Sequence, residues 1–101
     1  MNTVPEEKLI VKLYPDDWFY NKQIFISSYA REVLLSLNCF LYLMKIRPWD
    51  HFFYEISLSS LIEVAGLDKQ TVLEAINELI YHHVLARQSE NVVCFYKKGQ
   101  R

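Results

Sequence analysis

The chain has 101 residues, of which 51% are hydrophobic and only two are glycine, and its formal net charge is -1 at pH 7. This length allows one domain with a modest core, and the apolar content excludes a disordered polar chain. The charge balance counts against binding nucleic acid by bulk electrostatics.

No segment is apolar for long enough to span a bilayer, since polar residues interrupt the most hydrophobic stretch, residues 33–44. The residues before Leu9 are polar and acidic, unlike a signal peptide, so we expect a cytoplasmic protein with no membrane contact. Cys39 and Cys94 each lie in an apolar run, which favours free buried thiols over a disulfide.

In chain order, the first predicted unit is an N-terminal arm over residues 1–28. Two strand-like apolar runs flank a Pro-Asp-Asp segment at residues 15–17, which predicts a strand or a hairpin. Trp18 and Phe19 belong to a group of aromatic residues that must cover either the domain's own core or a second copy of the chain. The arm is therefore a candidate dimer contact.

Residues 29–101 are predicted to form one α+β domain. Helical spacing of apolar residues, capping serines and turn residues define its elements. The predicted elements are a helix over 29–46, a strand over 52–57, a helix over 59–65, a helix over 69–82, and a hairpin of two strands over 85–89 and 92–97.

The turn between the second and third helices carries the most specific signal. Ala65 is small enough for two helices to meet at a steep angle, Gly66 supplies a positive φ, and Asp68 caps the third helix. The third helix should bury the side that carries Val72, Ala75, Ile76, Leu79 and His83. This order of elements predicts a winged helix-turn-helix with three helices and a C-terminal β-hairpin wing.

Residues 65–72, together with 75–79 and 84–87, resemble winged-helix proteins of bacteria and phages. Within that superfamily the chain is most similar to RepL-type plasmid replication proteins and more loosely to MarR-like regulators. The resemblance covers residues 29–98 and implies that the protein binds duplex DNA, in transcription regulation or in plasmid or phage replication.

Position by position, the resemblance implies that the third helix enters the major groove and that the wing, residues 85–98, touches phosphates. The residues expected to contact DNA are Lys69, Gln70, Thr71, Asn77, Arg87, Lys97 and Lys98. A homodimer would suit a DNA site with two-fold symmetry.

The third helix departs from the family pattern. Its outward stripe, residues 70, 73, 74, 77 and 81, mixes apolar and acidic side chains, and Lys69 is the only Lys or Arg between residues 58 and 83. Carboxylates facing DNA would repel phosphate. The alternative is a protein-interaction module, an adaptor or a phage-encoded inhibitor of a host complex, whose contact residues would be Leu73, Glu74, Tyr81, Trp18 and Phe19.

The sequence contains no recognisable motif for metal binding or catalysis. His82 and His83 are adjacent, and neighbouring helical residues point about 100° apart, so they do not converge on one ion. There is no phosphate-binding glycine loop and no nucleophile with a base at motif spacing. We therefore expect no enzyme activity, no cofactor and no metal.

Overall fold

The computed structural model describes residues 8–14, 26–46 and 53–96. Trp18, Phe19, Lys97 and Lys98, each assigned a contact by the sequence, lie outside these residues. In chain order the described elements are β1 (Ile10–Leu13), α1 (Ser28–Ile46), β2 (Tyr54–Ser57), α2 (Leu58–Ala65), α3 (Lys69–Tyr81), β3 (Leu85–Ser89) and β4 (Val92–Phe95).

The four strands form one mixed sheet in the order β2-β1-β4-β3. Strand β1 is antiparallel to β2, where Val11 pairs with Ile56, and parallel to β4, where Val11 pairs with Val93. Strands β3 and β4 form the antiparallel hairpin predicted at the C-terminal end. The protein is thus an α+β protein, with three helices and a four-stranded mixed sheet among the described residues.

Strand β1 occupies an interior position in this sheet. The sequence suggested an arm separate from the domain, whereas β1 has a hydrogen-bonded neighbour on each side and buries Val11 and Leu13 in the core. Alternate residues of a strand point to opposite faces, so Ile10 and Lys12 lie on the other, half-exposed face. The first strand therefore contributes to the fold itself.

The core lies between the inner face of the sheet and the helices. Val72, Ala75, Ile76 and Leu79 of α3 are buried, as the helical spacing predicted. Residues from every described element join them, including Leu37 of α1. Helix α3 is thereby fixed along one side, and its opposite side faces solvent.

Three polar side chains cap the helices, and Asp68 is the cap that the sequence predicted for the third helix. Ser27 Oγ accepts from the Ala30 N–H, Ser57 Oγ from the Ser60 N–H and Asp68 Oδ1 from the Thr71 N–H. Gly66 ends α2 in the left-handed conformation at φ 69°, where residues with a Cβ are strained. The predicted turn between α2 and α3 is confirmed.

The end of α3 corrects one prediction. His83, expected on the core side, is exposed and left-handed at φ 59°. Its N–H donates to the Ile80 carbonyl and the next N–H, of Val84, donates to the Leu79 carbonyl, which is the pattern of a left-handed helix stop. Because the backbone reverses at this residue, the imidazole of His83 does not continue the buried side of α3. Its ring centre lies 5.3 Å from the ring centre of Tyr96.

Cys39 and Cys94 do not form a disulfide, in agreement with the sequence, but the expectation that both are buried was wrong. Cys39 is exposed, and Cys94 is partly buried. Cys39 is two residues from the buried Leu37 and Leu41, so a rotation of about 200° places it on the opposite side of α1. Cys94 alternates with the inward-facing residues of β4.

Among the described residues, no helix has the length and apolarity needed to cross a membrane.

Candidate functional site

The outer side of α3 is the best-defined candidate surface. Gln70, Glu74 and Asn77 are exposed along it, and Tyr81 at the end of the helix is 79% exposed. Lys69, the first residue of the helix, is also exposed. The outward stripe predicted from the sequence, through Gln70, Glu74, Asn77 and Tyr81, lies on the side of α3 opposite its buried residues. Lys69 is about 100° around the helix from Gln70 and lies beside this stripe.

Two residues of the predicted surface are less accessible than expected. Leu73 is half-buried and packs against the core, and Thr71 is also half-buried. Leu73 follows the buried Val72 by one residue, or about 100° of rotation, so it lies at the border of the packed side. The apolar part of the outward stripe is therefore smaller than its sequence indicates.

A hydrogen bond already joins two of the exposed polar side chains. Gln70 Nε2 donates to Glu74 Oε2 over 3.1 Å, one helical turn apart. The bond partly satisfies the Glu74 carboxylate and leaves the Gln70 amide oxygen as an acceptor at the first turn of the helix. The second N–H of the Gln70 amide is also available to a ligand, since the bond to Glu74 uses only one of the two.

The carboxylates of Asp68 and Glu78 face helix ends. Asp68 accepts from the Thr71 N–H over 2.7 Å, and this backbone hydrogen bond, with a weaker one from the Thr71 hydroxyl, lowers the pKa of Asp68. Glu78 accepts from the Ser27 N–H over 2.6 Å and from the Ser27 hydroxyl over 2.7 Å. Both acids act within the fold and not on the outward stripe.

Glu78 links α3 to the first turn of α1. Its two hydrogen bonds to Ser27, the backbone bond first, hold the pKa of Glu78 below its ordinary value of 4.5. Ser27 in turn caps α1 through the Ala30 N–H. The sequence predicted Ser27 as a cap but gave no sign of Glu78, because the two residues are 51 positions apart.

We expect Glu78→Gln to lower the free energy of unfolding by about 1–2 kcal/mol at pH 7, because the amide group cannot accept both bonds from Ser27 and solvent limits the loss. The folded-state pKa is lowered, so the charged carboxylate stabilises the fold above pH 4.5 and that contribution is lost as the pH falls through the folded-state value. Urea unfolding at pH 7 and pH 3 should therefore show a smaller difference between variant and parent at the lower pH.

Glu74→Gln is the matched control for this experiment, since it makes the same charge change one turn earlier in α3 without touching Ser27. Its stability should stay within about 0.5 kcal/mol of the parent at pH 7. An equal loss in both variants would show that the link between Glu78 and Ser27 does not stabilise the protein.

The hairpin brings two cations to one end of the sheet. Arg87 of β3 is exposed, and its Nη1 donates to the Glu90 carbonyl in the hairpin turn over 3.2 Å. The Ile10 N–H donates to the Asn91 carbonyl in the same turn, so the start of β1 lies beside it. Lys8, which is exposed and precedes β1, therefore belongs to this end of the molecule. Sequence reasoning identified Arg87 but missed Lys8, because only the parallel pairing of β1 with β4 brings it there.

Among the residues that the structure describes, no three histidine, cysteine, aspartate or glutamate side chains form a group that would hold a metal ion.

Comparison with known proteins found no matching family, no matching curated protein and no matching solved structure. The interpretation of this surface therefore depends on its own geometry and chemistry.

Proposed function

We propose that the protein is a winged-helix protein that binds duplex DNA, with α3 in the major groove and the β3–β4 hairpin against the backbone. One observation carries the proposal: α3 is buried along one side only, which leaves Lys69, Gln70 and Asn77 exposed on a helix that follows a capped, glycine-ended turn. A helix presented in this way fits the major groove, which is about 12 Å wide.

The hydrogen bonds of the acidic residues strengthen the proposal. Between residues 58 and 83 the sequence has four carboxylate side chains and one lysine, a balance that counts against DNA binding. Asp68 and Glu78 are each engaged in capping, so Glu74 is the acid that remains on the outward stripe of α3. Lys69, on the first turn of α3 beside that stripe, would contact phosphate or a guanine edge, and the amide of Asn77 would read a base.

The hairpin end carries two cations outside α3, Arg87 and Lys8, beside the exposed Glu90. Arg87 and Lys8 would contact phosphates there, because a guanidinium and an ammonium group are strong donors to phosphate oxygens. The protein is weakly acidic as a whole, so we expect moderate affinity that depends on these few cations. A regulator or a replication protein that binds DNA with modest affinity fits this charge distribution.

The proposal is tested by fluorescence anisotropy with a labelled duplex of mixed sequence at two salt concentrations. About three phosphate contacts predict binding roughly 40-fold weaker at 200 mM salt than at 50 mM. Lys69→Glu and Arg87→Glu should each weaken binding by about tenfold at the lower salt concentration, since each removes a donor and adds a repelling charge.

Arg31→Glu is the matched control, because it makes the same charge change on an exposed residue of α1. Arg31 lies near Ser27, which contacts Glu78, and Glu78 is about 13 Å along α3 from Lys69. The DNA affinity of Arg31→Glu should stay within about twofold of the parent's, because Arg31 lies away from the proposed DNA surface. If all three variants bind equally, or the parent shows no salt-dependent binding, the DNA proposal is wrong.

One observation favours the alternative of protein binding: Tyr81 is 79% exposed, and tyrosine is enriched at the energetic centres of protein interfaces. The half-buried Leu73 reduces the apolar area beside it. A protein partner held by this face would be released by Tyr81→Ala and would show little salt dependence, whereas DNA binding would be weakened by salt and by Lys69→Glu.

A further inference from the structure

The outer side of α1 carries an apolar stripe that no described residue covers. Leu35 is 53% exposed, Tyr42 64% and Leu43 46%, and Cys39 is exposed between them. Their spacing of four, three and one residues places them on one side of the helix. We call these four residues the α1 stripe.

The opposite side of the same helix is packed in the core through Val33, Leu37 and Leu41. Residues 33–44 contain no charged side chain, so the solvent side of this part of the helix is as uncharged as the buried side. A surface helix normally has charged or polar residues on its outer side, whereas a helix that is apolar all round is normally covered. The α1 stripe has the composition of a contact surface.

We propose that the α1 stripe binds the α1 stripe of a second copy of this chain, with the two helices antiparallel across a two-fold axis at Cys39. In this arrangement Leu35 of one copy lies opposite Leu43 of the other, and Cys39 lies opposite Cys39. A two-fold contact requires a surface that complements itself. The stripe meets this requirement because it has no charge to be repelled by its copy or to be buried without a partner.

The exposed area sets the strength of this contact. The four side chains expose on the order of 400 Å² per copy, about half of the roughly 800 Å² per partner in a standard stable interface. We therefore expect a weak and reversible dimer.

The contact leaves the proposed DNA surface free. Glu78 of α3 reaches the N-terminal end of α1, whereas Gln70, Glu74 and Asn77 point to solvent on another side of α3.

Sedimentation velocity over a concentration series, without DNA, tests the proposal independently of DNA binding. The parent should shift from monomer to dimer as the concentration rises, and Leu35→Glu and Tyr42→Glu should stay monomeric, because each buries two like charges near the two-fold axis. Val64→Glu is the matched control, since Val64 is an exposed apolar residue of α2 outside the stripe. Circular dichroism establishes that each variant is folded.

Disulfide trapping gives a second readout that does not depend on a destabilising variant. With diamide as the oxidant, the parent and Cys94→Ser should form a covalent dimer on a non-reducing gel, whereas Cys39→Ser should not. The proposal is overturned if the parent remains monomeric at all concentrations, if Leu35→Glu dimerises as the parent does, or if Cys39→Ser is trapped equally well. A stripe that binds only a different protein would appear as the first of these results.

Discussion

Val11→Asp is expected to prevent folding, so that the variant shows no cooperative thermal transition by circular dichroism. Val11 is 1% exposed and lies on β1, between β2 and β4. A carboxylate at this position would lie in the core without a partner, at a cost of about 3–5 kcal/mol or more. That cost is comparable to the total stability of a small domain, which is about 5–15 kcal/mol.

Lys12→Thr, one residue later on the same strand, is the control. Lys12 points to the other face of the sheet, where its Nζ lies 4.2 Å from the ring centre of Phe53. Loss of this contact should cost about 0.5–1 kcal/mol, and threonine is well suited to a strand. If Val11→Asp melts cooperatively near the temperature of the parent, β1 is dispensable for folding.

Leu79→Ala is expected to lower the free energy of unfolding by about 2–5 kcal/mol in urea titrations. Leu79 is fully buried on the inner side of α3, and truncation removes three carbon atoms from a packed core. Asn77→Ala, two residues earlier on the exposed side, should change stability by no more than about 0.5 kcal/mol.

This pair of variants tests the orientation of α3, on which both proposed functions depend. In the DNA-binding assay the same pair should respond in the opposite way. Asn77→Ala should weaken sequence-specific binding, because it removes a base-reading amide. The folded fraction of Leu79→Ala should bind DNA as the parent does. A large loss of stability from Asn77→Ala, with none from Leu79→Ala, would mean that the helix faces the other way.

The exposed α3 surface and the α1 stripe have different chemistry and therefore suit different partners. The α3 surface is polar, with Gln70 and Asn77 on the outward stripe and Lys69 beside it at the first turn. The α1 stripe is uncharged and apolar. Under the two proposals, the protein pairs through α1 and binds DNA through α3, and each surface is testable alone.

The local parts of this protein were predictable from the sequence. The helix bounds, the turn at Gly66, the cap at Asp68 and the C-terminal hairpin all follow from residues within a few positions of one another. Hydrogen bonds within a helix, a cap or a hairpin turn connect neighbours in the chain, so residue type and spacing are enough to indicate them. The buried side of α3 was confirmed for the same reason.

The tertiary structure alone decided what depends on distant residues. The position of β1 between β2 and β4, the link between Glu78 and Ser27, and the nearness of Lys8 to the hairpin turn each join segments far apart in the chain. The sequence of a strand indicates which of its faces is apolar, but it does not indicate which strands pair with it. Likewise, the sequence does not indicate which distant N–H group will donate to a given carboxylate. Those choices are made only when the whole core packs, because that packing sets the register of the sheet and the angle between the helices.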